Sequence, residues 1–248
     1  LKDALAYSCG LIKTKKKPTL KMIQSSTGIK AIDLSEFLQS EILGWPTESV
    51  FDAVIQKLPE GGELLLDAVV APKENTSCMD ARWVYSSCNK RMLQGQEYAV
   101  LVWSKGTLTQ VVGFRKIADN NFEVSEERIA HFLSFGVSIM GRRADEILFL
   151  ISTDVNLSTQ EIIVGYRRRW RIEVVFRDCS QNLGLKCHQG FSQTSERHVT
   201  MVFLTYNFLA KIKSDSGKTI GRLVREFQNL CNPELTILSD PHCAFRLI

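Results

Sequence analysis

The apolar positions follow a helical period at the two ends of the chain and form strand-length runs between them. Residues 1 to about 60 are predicted to be helical and basic, with short helices near 19–28 and 35–43. Beyond a turn at 59–62, the continuous apolar run 63–70 predicts a buried strand. Three further runs predict the remaining strands of a hairpin-rich sheet, namely 82–85, 97–103 and 108–114.

The second half of the chain predicts one more strand and several helices. A serine followed by two glutamates indicates that a helix occupies 125–135. The run 146–153 predicts a strand that extends the sheet. Ser158 and Glu161 then have the spacing of a capping box, which predicts that a long helix begins there. Two final helices are predicted, an apolar one at 196–210 and an amphipathic one at 220–230.

The long helix carries a carboxylate, a guanidinium and a phenol on one face. Tyr166, Arg169 and Glu173 are spaced i, i+3 and i+7, which places their side chains on one side of a helix. Such a trio suits a metal-assisted phosphodiester site, because glutamate can hold a metal ion, arginine can pair with phosphate and tyrosine can donate a hydrogen bond. The alternative is structural, since arginine and glutamate four residues apart commonly form a solvated pair of small stabilising value.

The residues around this trio resemble a known motif. The stretch 161–176 reads Glu-Ile-Ile-Val-Gly-Tyr-Arg-Arg-Arg-Trp-Arg-Ile-Glu-Val-Val-Phe and is similar to the signature of bacterial DDE transposases of the insertion-sequence-four type. In that signature a lysine follows, at the position that Ser180 occupies here. The continuation Asn182-Leu-Gly-Leu185 agrees with the family's usual pattern.

The resemblance extends over about 15–230 and implies a fold and a domain organisation. It implies a mixed α/β fold, with an RNase H-like core and flanking helices over 61–248. The small helical and basic region over 1–60 would then bind DNA ends. The stretch between about 136 and 145 is shorter than the family pattern, so we expect an internal deletion there.

The resemblance also implies a metal-dependent site. In such enzymes two magnesium or manganese ions, held by Asp, Asp and Glu, activate water and then a 3′-hydroxyl for in-line attack on phosphodiesters. Glu173 matches the glutamate, and Asp67, near the end of the first predicted strand, is the second candidate metal ligand. Asp154, which ends a later strand, is a further catalytic candidate. The implied DNA-binding residues are Tyr166, Arg168, Arg169, Arg177 and Lys73.

Three departures from the family pattern bear on activity. The family's metal ligand is the second of two adjacent aspartates, a position that Ala68 occupies. Successive side chains of a strand point to opposite faces, so Asp67 cannot replace it without a shift of register. Ser180 stands in place of the lysine. The strand that carries the family's second aspartate is missing beyond the helix at 125–135.

Two functions follow from these features. The first is a DDE transposase that hydrolyses and joins DNA strands, with activity weakened by the departures. The alternative is a catalytically inactive, transposase-derived protein that binds DNA. An unrelated α/β or α+β enzyme with a chance helix match is a third interpretation. The implied partners are transposon ends and target DNA, together with a second copy in a homodimer. The implied location is the bacterial cytoplasm, on the nucleoid when DNA is bound.

Charge and cysteine content agree with this interpretation without requiring it. The net charge of +4 is compatible with nucleic acid. No apolar run reaches the length of a membrane span, and no signal-peptide pattern is present. The seven cysteines are irregularly spaced, which predicts free thiols and a reducing compartment. A zinc cluster of Cys187, His188 and His198 would lack the usual Cys-x-x-Cys pair. Because the first residue is Leu1, we expect a fragment or a frame cut from a longer one.

Overall fold

A computed structural model describes residues 2–14, 18–40, 47–73, 81–86, 91–117, 137–143, 146–151, 156–190 and 192–229. The described helices are α1 (Lys2–Lys13), α2 (Leu20–Thr27), α3 (Ala31–Gln39), α4 (Thr47–Ile55), α5 (Thr159–Arg168), α6 (Trp170–Asn182), α7 (Ser192–Ser216) and α8 (Ile220–Asn229). The described strands are β1 (Glu63–Pro72), β2 (Arg82–Ser86), β3 (Arg91–Lys105), β4 (Leu108–Lys116), β5 (Val137–Arg143) and β6 (Glu146–Ile151). The predicted helix at 125–135 lies outside the described residues.

The chain divides into two compact units. The first unit comprises residues 1–117 and 174–248, and the second comprises residues 118–173. Helix α6 begins in the second unit and ends in the first. The combination of helices with antiparallel sheet confirms the predicted α/β class and is compatible with an RNase H-like fold. No helix in the described part of the chain is long and apolar enough to cross a membrane.

The first unit is built on a four-stranded sheet with β3 at its centre. Strand β1 pairs with residues 95–104 of β3, β4 pairs with residues 98–105, and β2 pairs with residues 91–95 at the start of β3. The predicted strands are confirmed, but every described pairing is antiparallel, whereas we predicted a mixed sheet. These strands follow one another closely in sequence, and short connections favour antiparallel neighbours.

Strand β1 alternates between a buried and an exposed face, as a half-covered strand must. Leu65 and Val69 are buried, whereas Leu64 and Leu66 are each 66% exposed. Asp67 shares the face of Leu65 and is half-buried, while Ala68 lies on the exposed face. The prediction that these two positions point to opposite faces is therefore confirmed.

Helix α7 packs across strand β4 and contributes a large part of the core. The ring of Phe203 meets that of Phe114 edge-on, with centroids 5.5 Å apart. The buried amide of Asn207 also pairs with the backbone of β4. Its Oδ1 accepts from the Val111 N–H at 2.7 Å, and its Nδ2 donates to the Val111 carbonyl at 2.7 Å. Both backbone groups are satisfied by this side chain at a point where the β3–β4 register shifts.

The N-terminal helices join the same core as the sheet. Helix α1 packs so closely on α2 that a Cβ at Gly10 would overlap the side chain of Ile23. The Arg197 guanidinium of α7 donates to the carbonyl of Ser40 at 2.6 Å, just beyond α3. The hydroxyl of Tyr7 in α1 lies 2.8 Å from Nδ1 of His198 in α7. Helices α1 to α3 therefore stabilise α7, and α7 holds them in place.

A buried polar network ties strand β1 to α7. Lys73 is only 4% exposed, and its ammonium group donates to the His188 carbonyl and to Ser195 Oγ, both at 2.8 Å. The rings of His188 and His198 stack with centroids 5.0 Å apart. Burial, with the nearby charges of His198 and Lys73, lowers the pKa of His188 to about 3. Burial also lowers the pKa of His198 to about 4.

The second unit contains a hairpin of β5 and β6 with helix α5. Strand β6 was predicted to extend the main sheet, and that prediction is wrong, because β6 pairs with β5 in a separate two-stranded sheet. The register brings Arg143 opposite Glu146. Such close sequence neighbours form a local hairpin with little loss of chain entropy, whereas pairing with a distant strand closes a long loop.

Replacing Asn207 with alanine should destabilise the protein by about 3 kcal/mol. The change leaves the N–H and the carbonyl of Val111 buried without a partner, at about 1–3 kcal/mol for each lost group. Urea unfolding measures the difference. Ser216→Ala, at the exposed end of the same helix, should change the free energy of unfolding by less than about 0.5 kcal/mol. A loss below about 1 kcal/mol for Asn207→Ala would contradict this account of the α7–β4 contact.

Stability should fall as the pH drops from 7.5 to 5. The folded pKa of His198 lies below its unfolded value near 6.5. The unfolded state therefore binds more protons in this window, and acidification stabilises it relative to the folded state. For His198 alone the loss is about 2 kcal/mol at pH 5. Urea unfolding at both pH values measures it. His198→Gln should lose less stability on acidification than the natural chain, and a pH-independent free energy would refute the prediction.

Candidate active site on helices α5 and α6

The capping box predicted at the start of α5 is present. Ser158 Oγ accepts from the Glu161 N–H at 3.3 Å, and the Glu161 carboxylate accepts from the Ser158 N–H at 2.8 Å. Each residue thus satisfies a backbone donor that the first turn of a helix leaves without an intrahelical partner. This reciprocal pair defines the start of the helix and so fixes which residues of α5 share a face.

The predicted long helix is divided at Arg169. The Arg169 N–H donates to the Tyr166 carbonyl at 3.0 Å, and the Ile172 N–H donates to the Arg169 carbonyl at 3.0 Å. These are i to i+3 bonds, tighter than those of an α-helix. Arg169 keeps right-handed helical dihedrals, with φ −54° and ψ −29°. The chain therefore continues in nearly the same direction, and the predicted face is preserved.

The three side chains of the trio come together in the structure. Arg169 Nη2 lies 2.6 Å from Glu173 Oε1 and 3.4 Å from the Tyr166 hydroxyl oxygen. The guanidinium carbon also lies 5.1 Å from the centroid of the Tyr166 ring. The tyrosine oxygen accepts from arginine, so its own O–H can donate to a ligand. The guanidinium is thereby held between a carboxylate and a phenol.

The ion pair of the trio is half-exposed, and this exposure limits its contribution to helix stability. The side chains of Arg169 and Glu173 are each 33% exposed. A pair of this kind at i, i+4 stabilises a helix by only about 0.3–0.5 kcal/mol. Stabilising the helix is therefore a minor effect of the pair. Its larger consequence is geometric, because it orients a guanidinium at the protein surface.

Other cationic side chains continue the surface around the trio. Arg168 is exposed on α5, and Arg177 is exposed further along α6. Arg167, which we did not single out from the sequence, is exposed as well. Trp170, the first residue of α6, is 59% exposed. The buried face of α6 instead consists of Ile172, Val175 and Cys179.

The remaining predicted site residues are not part of the trio. Asp67 Oδ1 accepts from the N–H of Ala68 at 2.9 Å, within its own strand. The ammonium of Lys73 is buried in the network with His188 and Ser195. Asp154 lies outside the described residues. Among the residues that the structure describes, no three His, Cys, Asp or Glu side chains are placed to hold a metal ion together.

The role of His188 and His198 was not predicted from the sequence. His198 is a polar residue at the start of the apolar run of α7, and this position was the available signal of a buried polar contact. Its Nε2 lies 3.0 Å from the Gly184 carbonyl, while Nδ1 faces Tyr7. Cys187 beside His188 forms no disulfide within the part of the chain that the structure describes. The group that sequence suggested as a weak zinc cluster is thus used in packing and hydrogen bonding.

Comparison with known proteins places the chain in a family. No curated protein matches it significantly. A family model described as the transposase DDE domain matches residues 11–208, a range that includes the four-stranded sheet, the trio of Tyr166, Arg169 and Glu173, and most of α7. The match spans well over half of the 248 residues, and the chain therefore belongs to the transposase DDE domain family.

Proposed function

We propose that this protein is a DDE transposase of the insertion-sequence-four type whose α5–α6 face binds the DNA backbone. The observation that carries the proposal is the arrangement of Arg169 between Tyr166 and Glu173 on a surface helix. A guanidinium presents its donors in a fixed plane that matches a phosphate group. Because the carboxylate and the phenol already orient it, little side-chain entropy is lost when a phosphate binds.

The surrounding charges favour the same ligand. Arg167 and Arg168 add exposed positive charge close to the trio, and clustered arginines create the electrostatic footprint typical of backbone recognition. Arg177 extends the proposed surface along α6. Lys73 was a candidate for the same role, but the His188 carbonyl and Ser195 hydroxyl engage its buried ammonium. We therefore assign it to the core and base the DNA contact on Tyr166, Arg168, Arg169 and Arg177.

The catalytic part of the proposal concerns divalent ions. Magnesium or manganese, when held by carboxylates, activates the attacking oxygen and stabilises the leaving oxygen in phosphodiester chemistry. Glu173 would be the ligand on α6. Glu173 is the carboxylate of the trio, and Arg169 already engages its Oε1. Asp67 and Asp154 remain proposed catalytic residues, with Asp67 the second proposed metal ligand.

The second candidate function is a catalytically inactive, transposase-derived DNA-binding protein. Ala68 on the exposed face of β1 and Ser180 on α6 favour it, because both replace residues with chemical functions in the family pattern. In both candidates the DNA partners are transposon ends and target DNA. The helices before β1 would contribute to binding of the ends, and a homodimer would bring two ends together.

Replacing Arg169 with alanine should weaken binding to a DNA duplex about tenfold at low salt. A lost charge-assisted hydrogen bond accounts for that factor. The slope of log affinity against log salt concentration should also fall by about 0.9, the value for one phosphate contact. Fluorescence anisotropy over a salt series measures both quantities, and the loss should be similar for unrelated sequences.

Arg222→Ala provides a matched control for this experiment. Arg222 on α8 also forms an i, i+4 ion pair, with Glu226, and its side chain is 64% exposed. Its removal alters the same net charge and the same kind of helix pair, but on a helix that carries no residue of the trio. We expect affinity and salt slope close to those of the natural chain. Equal losses in both variants would show a general charge effect and contradict the proposed contact.

Strand cleavage should be inefficient even where DNA binding is retained. A two-ion mechanism needs carboxylates that hold the ions roughly 4 Å apart, and Ala68 stands where one ligand is expected. A nicking assay on supercoiled plasmid with magnesium or manganese tests this. The natural chain and its Glu173→Gln variant should give the same low background. Robust cleavage that Glu173→Gln abolishes would refute the inactive candidate and support an active transposase.

A further inference from the structure

A partly enclosed cavity lies within the first unit, between helices α1, α6 and α8. Its volume is about 340 Å³, which falls in the range of small-molecule sites. Leu11, Pro18 and Val224 are its apolar lining residues, while Thr14, Ser180 and Arg225 are among its polar ones. The cavity is thus large enough for more than a single ion and offers both apolar and polar contacts.

Two hydroxyl groups in this lining have no hydrogen-bond partner among the described residues. They are Thr14 Oγ1, on a side chain that is only 8% exposed, and Ser180 Oγ. This is unusual for the protein, because hydroxyls on its helices commonly donate to a carbonyl three or four residues earlier. Examples are Ser25, Ser26, Thr27, Thr200, Thr205 and Ser216. Buried hydroxyls without a partner call for an explanation.

The charge of the lining restricts the ligands that would satisfy these hydroxyls. Arg225 contributes a positive charge, amides come from Gln181, Asn182 and Gln228, and none of the described lining residues carries a carboxylate. Hydroxyl, amide and guanidinium groups all donate hydrogen bonds to oxygen anions. A phosphate group accepts several such bonds at once. The apolar lining residues would contact an uncharged part of the same ligand.

We infer that this cavity binds a phosphate ester of about the size of one nucleotide, with Thr14, Ser180 and Arg225 as donors to the phosphate. The apolar lining residues Leu11, Pro18 and Val224 contact the base. The same chemistry is available from a free mononucleotide and from the terminal nucleotide of a DNA strand. This binding site shares no residue with the trio of Tyr166, Arg169 and Glu173, and its existence does not rest on the proposed function.

Isothermal titration of the full chain with inorganic phosphate, with deoxynucleoside monophosphates and with the unphosphorylated nucleosides tests the inference. The monophosphates should bind saturably and more tightly than phosphate or nucleoside alone, because they contact both the polar and the apolar lining residues of the cavity. Ser180→Ala, Thr14→Val and Arg225→Gln should each weaken this binding about tenfold, the factor expected for loss of a hydrogen bond to a charged group. Absence of saturable binding to any monophosphate would overturn the inference.

Matched variants separate loss of the site from loss of the fold. Ser25→Ala removes an exposed hydroxyl that is already bonded within α2, and Arg222→Gln removes an arginine three positions before Arg225. Both should bind monophosphates like the natural chain. The thermal midpoint of Ser180→Ala should be unchanged or higher, since its hydroxyl has no partner to lose. Equal weakening in the controls would contradict the assignment of the site.

Two further measurements identify the source of the ligand and separate this inference from the proposed function. The first is competition for binding between a monophosphate and a short 5′-phosphorylated duplex, measured with the natural chain and with Ser180→Ala. It shows whether the cavity binds a free nucleotide or a DNA end. Arg169→Ala should leave monophosphate binding unchanged. If Arg169→Ala binds DNA normally while the cavity variants lose monophosphate, the proposed DNA face fails and the cavity stands. If Arg169→Ala weakens DNA binding while the cavity variants bind monophosphate normally, only the inference about the cavity fails.

Discussion

The contact between helix α7 and strand β4 is the interaction on which the first unit depends. Asn207 satisfies both backbone groups of Val111, while Phe203 packs against Phe114 beside it. The polar and apolar contacts reinforce each other, because a buried amide contributes favourably only where surrounding packing excludes water and its partners are in place. Helices α1, α3 and α8 then pack on α7, so its position determines theirs.

The buried network beneath this contact shows how the protein accommodates charge in its core. An ammonium group is costly to bury unless its donors find partners. Lys73 meets this requirement through two carbonyls and Ser195, which connect the end of β1 with the loop before α7. The nearby imidazoles of His188 and His198 remain neutral for the same reason, since a second positive charge there would be opposed by Lys73 and by burial. The network therefore joins β1 to α7 through contacts whose stability depends on pH.

The candidate active site has the opposite character. The trio on α5 and α6 lies at the surface, where its ion pair contributes little to stability. Such a site can be modified without unfolding the protein. Exposure also leaves the guanidinium accessible to a polyanion, whereas the buried Lys73 is not. Two cations that looked equivalent in sequence therefore have different physical roles.

The sequence by itself determined the elements whose information is local. The 63–70 strand, the Ser158 capping box and the shared face of Tyr166, Arg169 and Glu173 follow from alternation, capping and helical period, which act within a few residues. Only the tertiary structure decided the pairing of β6 with β5, the burial of Lys73, the role of Asn207 and the unpartnered hydroxyls of Thr14 and Ser180. Each of these depends on contacts between residues far apart in the chain or on competition between alternative strand partners. Local periodicity carries no information about which distant group fills a given space, so burial and pairing had to be seen in three dimensions.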